Sequence, residues 1–278
     1  VRKRRWLLKL VERPLGKRPI AEIEAFEILQ ALRPLEADGR LEAARRAKEF
    51  IGQVFRYAVA LQLAHRDPTP DLKGALRKPT PKHLAAILEP RRVSELLRAI
   101  DSYEGQPATQ IALKLSPHVF VRPGELRRAE WSEIDFEERV WRIGARKMKS
   151  RKAHTVPLSR QTLEMFAAAR ELTGDGRFVF PSLRTPARPM SENTVNGALR
   201  RLGFSGDEMT AHGFRATAST LLNESGKWQP DAIERALAHQ DRDPVRAAYN
   251  RGAHWEERVR MAQWWSDYLD GLRDGDLV

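Results

Sequence analysis

Apolar positions recur at helical spacing through most of the chain. Ile20, Ile23, Phe26, Ile28, Leu29 and Leu32 fall near one face of a segment running to Leu35. From Leu41 to Leu63, Ala44, Phe50, Ile51, Val54, Phe55 and Ala58 repeat the pattern, so both segments are predicted as amphipathic helices. Asp38 and Gly39 mark the turn between them. Pro68, Pro70, Pro79, Pro81 and Pro90 then cluster at a density that breaks helices and places a domain boundary near residues 80–90. Beyond it the pattern predicts helices at 92–100 and 108–115, with another starting at Arg122, Pro123 and Gly124. Val140 to Gly144 and His154 to Leu158 read as a hairpin, and Phe178 to Phe180 as an edge strand. Helices follow at 192–202, 213–223, 230–238, 244–250 and 256–272. The expected fold is mostly α. A helical bundle occupies residues 1–80, a linker 81–90, and a mainly helical domain with a small antiparallel sheet 91–278.

Charge sharpens this picture. The 278 residues carry a formal net charge of +12. Residues 1–80 alone hold 18 Lys and Arg against 10 Asp and Glu, so the first bundle has unusually basic faces. Such an excess points to a polyanion, with nucleic acid the leading class, although a solvated helical bundle without a ligand also fits that segment. The absence of cysteine excludes disulfides, thiolate metal sites and a cysteine nucleophile, and suits a reducing compartment. No apolar run is long enough for a membrane span. The chain opens Val1, Arg2, Lys3, Arg4, Arg5, without a secretory signal, and is expected to be a fragment of a longer cytoplasmic protein.

Several short constellations carry candidate chemistry. Arg122 precedes Pro123, a residue favoured at the first helical position, so its guanidinium can sit beside backbone N–H groups that favour an anion. Glu125, three residues on, can orient it, although Arg-x-x-Glu is more often a surface ion pair. His212 and Arg215 lie three apart at a helix start, pairing a proton acceptor with a permanent cation, as attack on a phosphodiester requires. His239 follows a helix, and ten residues later Tyr249 sits among polar and basic neighbours. Tyr57 on a packed helix and Tyr268 beside Trp264 and Trp265 look structural by comparison, which leaves Tyr249 as the nucleophile candidate. The hairpin turn holds Arg146, Lys147, Met148, Lys149, Ser150, Arg151 and Lys152; one lysine there can protonate a leaving alkoxide, and composition does not choose which.

Taken in order, Arg122, a hairpin lysine, His212 with Arg215, His239 and Tyr249 resemble the active-site series of the tyrosine recombinases, the phage-integrase family. Longer matches resemble the prophage and genomic-island integrases of the P4 type: Arg-Pro-Gly-Glu-Leu at 122, Trp-Ser-Glu-Ile-Asp at 131, Met-Lys at 148, Val-Pro-Leu-Ser at 156, Met-Ser-Glu-Asn-Thr at 190, Thr-Ala-His-Gly-Phe-Arg at 210 and Ala-Ala-Tyr-Asn-Arg at 247. The resemblance implies a core-binding helical domain followed by a catalytic domain, with the N-terminal arm-binding domain of such integrases missing. It implies that Tyr249 attacks the scissile phosphate to give a 3′-phosphotyrosine and a 5′-hydroxyl, without metal or other cofactor. It assigns Arg122 and Arg215 to the non-bridging oxygens, His212 to proton acceptance, His239 to a phosphate hydrogen bond and Glu125 to support of Arg122. Lys149 is favoured as proton donor by its distance from Pro157, with Lys147 as the fallback. Phosphate and groove contacts are expected from Arg2, Lys3, Arg4, Arg5, Arg45, Arg46, Lys147, Arg151 and Lys152, and from Asn193, Asn196 and Arg200 on a groove-facing helix.

The implied partners are double-stranded attachment sites, a homotetramer on synapsed DNA and accessory DNA-bending or excision proteins, in a nucleoid-associated setting. The aromatic stripe of Trp264, Trp265, Tyr268 and Leu269 is expected either as core or as a helix docking on a neighbouring protomer. A type IB topoisomerase would use similar groups to relax supercoils. A DNA-binding regulator would keep the fold without turnover, against which stands a candidate at every catalytic position.

Overall fold

The computed structural model describes residues 2–79, 85–239 and 254–276. The chain divides into two compact units, Val1–His83 and Leu84–Val278.

Three helices build the first unit. The opening helix α1 (Arg2–Leu15) adds to the pair expected from the pattern. Leu7, Val11 and Leu15 recur every fourth residue and are buried, while Lys3, Arg4 and Arg5 are exposed; the density of charge had masked the apolar stripe. The segment expected as one helix from Ile20 is broken into a 3₁₀ turn, Ile20–Glu22, and α2 (Ala25–Ala37). The break has a local cause: Glu24 takes an extended conformation as N-cap, and its amide donates to the Glu27 carboxylate at 3.1 Å. Gly39, with φ +71°, turns the chain into α3 (Leu41–Ala60). There Ala44, Ala47, Ile51, Phe55 and Ala58 close over Ile28 and Leu32, whose complete burial contributes about 1.5–3 kcal/mol each. Tyr57 lies on this packed helix, as expected, but off its buried stripe and 68% exposed, so its side chain is not the structural core residue anticipated.

Two packed clusters form the second unit. One gathers α4 (Pro90–Asp101), α8 (Thr194–Arg201), α9 (Gly213–Glu224), α10 (Pro230–Ala236) and α11 (Trp255–Asp274) around Leu96, Met209, Met261 and Trp265. Residues 85–89, inside the expected linker, belong to it: Ile87 is buried and its carbonyl accepts from Thr217 Oγ1 at 2.7 Å. The other cluster packs α5 (Pro107–Leu115) and α7 (Arg160–Thr173) against a three-stranded antiparallel sheet, with Trp141 and Phe166 fully buried.

That sheet runs β1 (Ile134–Asp135), β2 (Val140–Ile143), β3 (His154–Pro157) in order. The expected hairpin pairs in register from Val140 with Pro157 to Ile143 with His154. The stretch 178–180 is not an edge strand: Val179 and Phe180 are wholly inaccessible, because a continuous apolar run buries both its faces. Phe178 makes only a single antiparallel bridge, to Glu130, and the strand pair that follows is β4 (Pro181–Ser182) with β5 (Thr185–Pro189). Helix α7 was not anticipated; Ser159 caps it by accepting the Thr162 amide at 3.3 Å.

Helix α11 is internal to its own unit. Met261, Trp265, Leu269 and Leu272 are buried at three- and four-residue intervals, and Trp265 Nε1 donates to the Pro117 carbonyl at 2.9 Å. Ser266 Oγ lies 3.0 Å from His118 Nδ1 and 2.8 Å from Ser159 Oγ, tying the helix to α5 and α7 through buried polar groups. Trp265 and Leu269 are therefore core residues and not a docking stripe, while Trp264 stacks on Tyr268 at 5.2 Å. The helix expected at 244–250 lies outside the described residues. No helix among those described is long and apolar enough to cross a membrane.

Candidate active site

Arg122 caps the short helix α6 (Pro123–Leu126), with Pro123 fixing the first helical position. Glu125, only 3% exposed, accepts both from the Arg122 amide at 2.7 Å and from Arg122 Nη1 at 2.9 Å. The pair is thus a buried two-bond clamp, unlike the surface ion pair that its spacing more often signals. The second arm of the guanidinium donates to the Ala238 carbonyl at 3.4 Å.

Arg215 enters from the first turn of α9 and is buried. Its guanidinium donates to the carbonyls of Phe120 and Leu237, the latter at 2.7 Å, and Nη2 lies 3.2 Å from His239 Nε2. Burial, then the nearby Arg122 charge, pushes its pKa down to about 10, so it remains a cation at neutral pH. His239 Nδ1 donates to Glu234 Oε2 at 2.8 Å, the tautomer that leaves Nε2 to accept from Arg215.

A backbone feature delivers His239. Ala238 follows α10 with φ +50°, a left-handed conformation that closes the helix through His239 N to Glu234 O at 3.0 Å. The same turn aims the Ala238 carbonyl at Arg122. His212, the N-cap of α9, is exposed as a residue, yet partial desolvation of the ring, then the charges of Arg215, Arg122 and His239, hold its pKa below the usual histidine range. Its imidazole is neutral at pH 7 and able to accept a proton. Arg122, Glu125, His212, Arg215 and His239 therefore converge, two permanent cations sharing one deeply buried carboxylate. That excess of positive charge suits a phosphate.

The hairpin lysines divide sharply. Lys147 Nζ lies 2.8 Å from Glu130 Oε1 and 2.8 Å from Glu133 Oε1, and donates to the Arg128 carbonyl at 2.8 Å. Met148 is buried, whereas Lys149, Arg151 and Lys152 are exposed. Lys149 has no ion pair among the described residues.

The other expected contacts scatter. In the first unit Lys3, Arg4, Arg45 and Arg46 line one open basic groove, where Arg45 and Arg46 are already paired with Glu42. Arg5 is exposed. On α8 Asn193 is exposed, but Asn196 Oδ1 accepts the Ala211 amide at 2.8 Å and Arg200 donates to the Met209 carbonyl, so both brace their own unit. Tyr249 and the side chain of Arg2 lie outside the described residues. Tyr103 is buried and its hydroxyl accepts from Arg201 at 3.0 Å. Among the described residues no group of three or more His, Asp or Glu side chains is placed to hold a metal.

Four side chains around the site carried no sequence signal for the contacts they make. Glu234 reaches His239 only because Ala238 reverses the chain. Glu130 and Glu133 meet Lys147 only through the fold. His154 on β3 is half-buried, and desolvation of its ring, then the charge of Arg258 and more weakly those of Arg215 and Arg122, lowers its pKa to about 4.

Comparisons with known proteins give a consistent result. Residues 86–254 match the phage integrase family and residues 1–75 the phage integrase central domain. The chain is 41% identical over 274 residues to the IntB protein of Escherichia coli strain K12, covering 94% of this chain and 69% of IntB. It is 38% identical to the integrase of Enterobacteria phage P4, covering 94% of this chain and 62% of that integrase. The chain thus spans about two thirds of the length of these relatives. Its fold resembles that of a lambda integrase tetramer bound to a Holliday junction, with TM-score 0.69 at 20% identity, covering 87% of this chain and 71% of that one.

Proposed function

The chain belongs to the phage integrase family of tyrosine recombinases, and from that premise we propose that it cuts and rejoins DNA at attachment sites through a 3′-phosphotyrosine intermediate. The observation that carries the proposal is the pair of guanidiniums, Arg122 clamped by buried Glu125 and Arg215 beside His239, both donating to the Leu237–Ala238 turn.

In this reading the Tyr249 phenol oxygen bonds to the scissile phosphorus while the bond to the 5′ oxygen breaks. His212 takes the phenolic proton. Lys149 returns a proton to the departing 5′ oxygen, and Lys147 is unsuited because two carboxylates and a carbonyl already occupy its ammonium. Arg122 and Arg215 hold the non-bridging oxygens and bear the charge that grows in the pentacoordinate transition state. His239 adds a hydrogen bond to the phosphate, which requires Nε2 to carry a proton and donate it to a phosphate oxygen in place of accepting from Arg215. One ester replaces another, so no external energy source enters the balance, and attack by the free 5′-hydroxyl of a partner strand reverses the step.

The basic first unit supplies phosphate contacts that do not depend on sequence. The first unit acts as core-binding domain and the second, which takes in residues 85–89, as catalytic domain. Duplex attachment sites, assembly as a tetramer on synapsed DNA, accessory bending or excision proteins and action at the nucleoid belong to the same proposal, supported for DNA and tetramer by the likeness to the lambda assembly.

A nicked attachment-site duplex that loses its 5′ fragment after cleavage traps the intermediate. The wild-type chain is expected to form a protein–DNA adduct in the presence of a chelator. Arg122→Ala and Arg215→Ala each slow it by about 100-fold or more. Adduct formation unchanged in either variant would defeat the assignment.

A further inference from the structure

The β2–β3 turn places a second lysine two residues before Lys149, and its environment gives it a different task. All three ammonium hydrogens of Lys147 have acceptors at 2.8 Å: Glu130 Oε1, Glu133 Oε1 and the Arg128 carbonyl. The lysine is 22% exposed and the two carboxylates 14% and 12%, so the cluster is largely shielded from screening by salt. The carboxylates are themselves fixed. Glu130 is paired with Arg177 at 3.0 Å, and Glu133 Oε2 accepts the Glu130 amide at 3.1 Å. Arg177, then Lys147, holds the Glu130 carboxyl below the usual range.

The contact runs in both directions. Arg128 Nη2 reaches the Lys147 carbonyl at 3.5 Å while its Nε donates to the Gly124 carbonyl at 2.6 Å. Gly124 belongs to α6, the helix whose Glu125 clamps Arg122. A basic turn that would otherwise hang on four paired positions is therefore fastened to the segment carrying a phosphate-binding arginine. Met148 buries its side chain beside the fastening, and Lys149 follows it into solvent.

We propose that Lys147 is a positioning residue: its ion pairs with Glu130 and Glu133 latch the hairpin turn to the α6–β1 connection and so set Lys149 in fixed relation to Arg122. The inference rests on the reading of Lys149 as proton donor. It separates two lysines, one consumed by structure and one exposed and without an ion pair among the described residues.

The test compares single-turnover cleavage of the nicked attachment-site duplex with that of a duplex whose scissile phosphate carries sulfur at the 5′ bridging position. A thiol, with a pKa near 8.5, departs as its anion without a proton donor. Lys149→Met is expected to slow cleavage of the oxygen substrate by about 100-fold or more, on the scale of a general acid, and to recover on sulfur. Lys147→Met is expected to slow the oxygen substrate about 10- to 100-fold, to recover on sulfur equally, and to leave DNA affinity and its salt dependence unchanged. Lys147→Arg keeps most of the rate. Glu133→Gln, which loosens the latch from its other side, shows the same recovery on sulfur and carries the test if Lys147→Met is too unstable to assay.

Equal slowing of Lys147→Met on both substrates would overturn the latch in favour of a general structural role. Weaker DNA binding with a shallower salt slope would overturn it in favour of a phosphate contact. Failure of Lys149→Met to recover on sulfur would remove the proton-donor reading and the latch with it. Recovery of Lys149→Met alone would remove only the latch.

Discussion

Replacing Glu125 by Gln tests the electrostatic centre of the site most economically. The carboxylate accepts from the Arg122 amide and from Arg122 Nη1, and it is nearly inaccessible. An amide keeps the volume but presents one donor where two acceptors are needed, so a donor faces a donor. It also leaves Arg122 and Arg215 together without their buried counter-charge. Removing one partner of a buried pair costs about 3–5 kcal/mol, and the 23% exposure of Arg122 argues for the lower end, about 3 kcal/mol. In a unit of this size each kcal/mol moves the melting midpoint by about 2–4 °C, so a fall of about 6–12 °C is expected. Tryptophan fluorescence is a suitable readout, because Trp6 alone of the seven lies in the first unit. Glu164→Gln, which breaks the exposed pair with Arg160, is the control and leaves the midpoint in place. A shift for Glu125→Gln no larger than that of the control would refute the claim that this carboxylate balances the arginine pair.

Three further outcomes follow from the same packing. Burial lowers the pKa of His118 to about 4, so the unfolded chain binds a proton between pH 6.5 and 4 that the folded chain refuses. Its contribution of about 3 kcal/mol is complete above pH 6.5 and is lost as the pH falls towards 4. Urea midpoints across that range should drop more steeply for the wild type than for His118→Gln, and parallel curves would contradict this. Ala238→Gly relieves a left-handed alanine and should raise stability by about 1 kcal/mol, read as a higher urea midpoint at constant slope; a lower midpoint would refute the strain. Trp265→Ala should cost about 3–5 kcal/mol at any protein concentration, as expected for core and not for a contact between protomers; a loss that disappears on dilution would point the other way.

How much of this was legible beforehand depended on distance along the chain. The hairpin from Val140 to Pro157 and the helices of α4, α8, α9 and α10 were written in local periodicity, as was the three-residue spacing of Arg122 and Glu125. Local pattern also misled where charge or continuity dominated. The basic run hid the Leu7, Val11, Leu15 stripe, and the apolar Phe178 to Phe180 read as an edge when it is interior. What stayed out of reach were contacts made only by folding. Spacing to Pro157 favoured Lys149 over Lys147, but the task of Lys147 was not legible near it in sequence; acceptors at 130 and 133, brought across from the connection between α6 and β1, define it. Glu234 likewise meets His239 through a single left-handed residue that no propensity favours.

The most direct test of the account is to locate the covalent bond. Protease digestion of the trapped adduct followed by mass spectrometry should find the DNA fragment attached through its 3′ phosphate to the peptide containing Tyr249, with no adduct from Tyr249→Phe. Attachment at Tyr57, Tyr103 or Tyr268, or an adduct that persists in Tyr249→Phe, would contradict it.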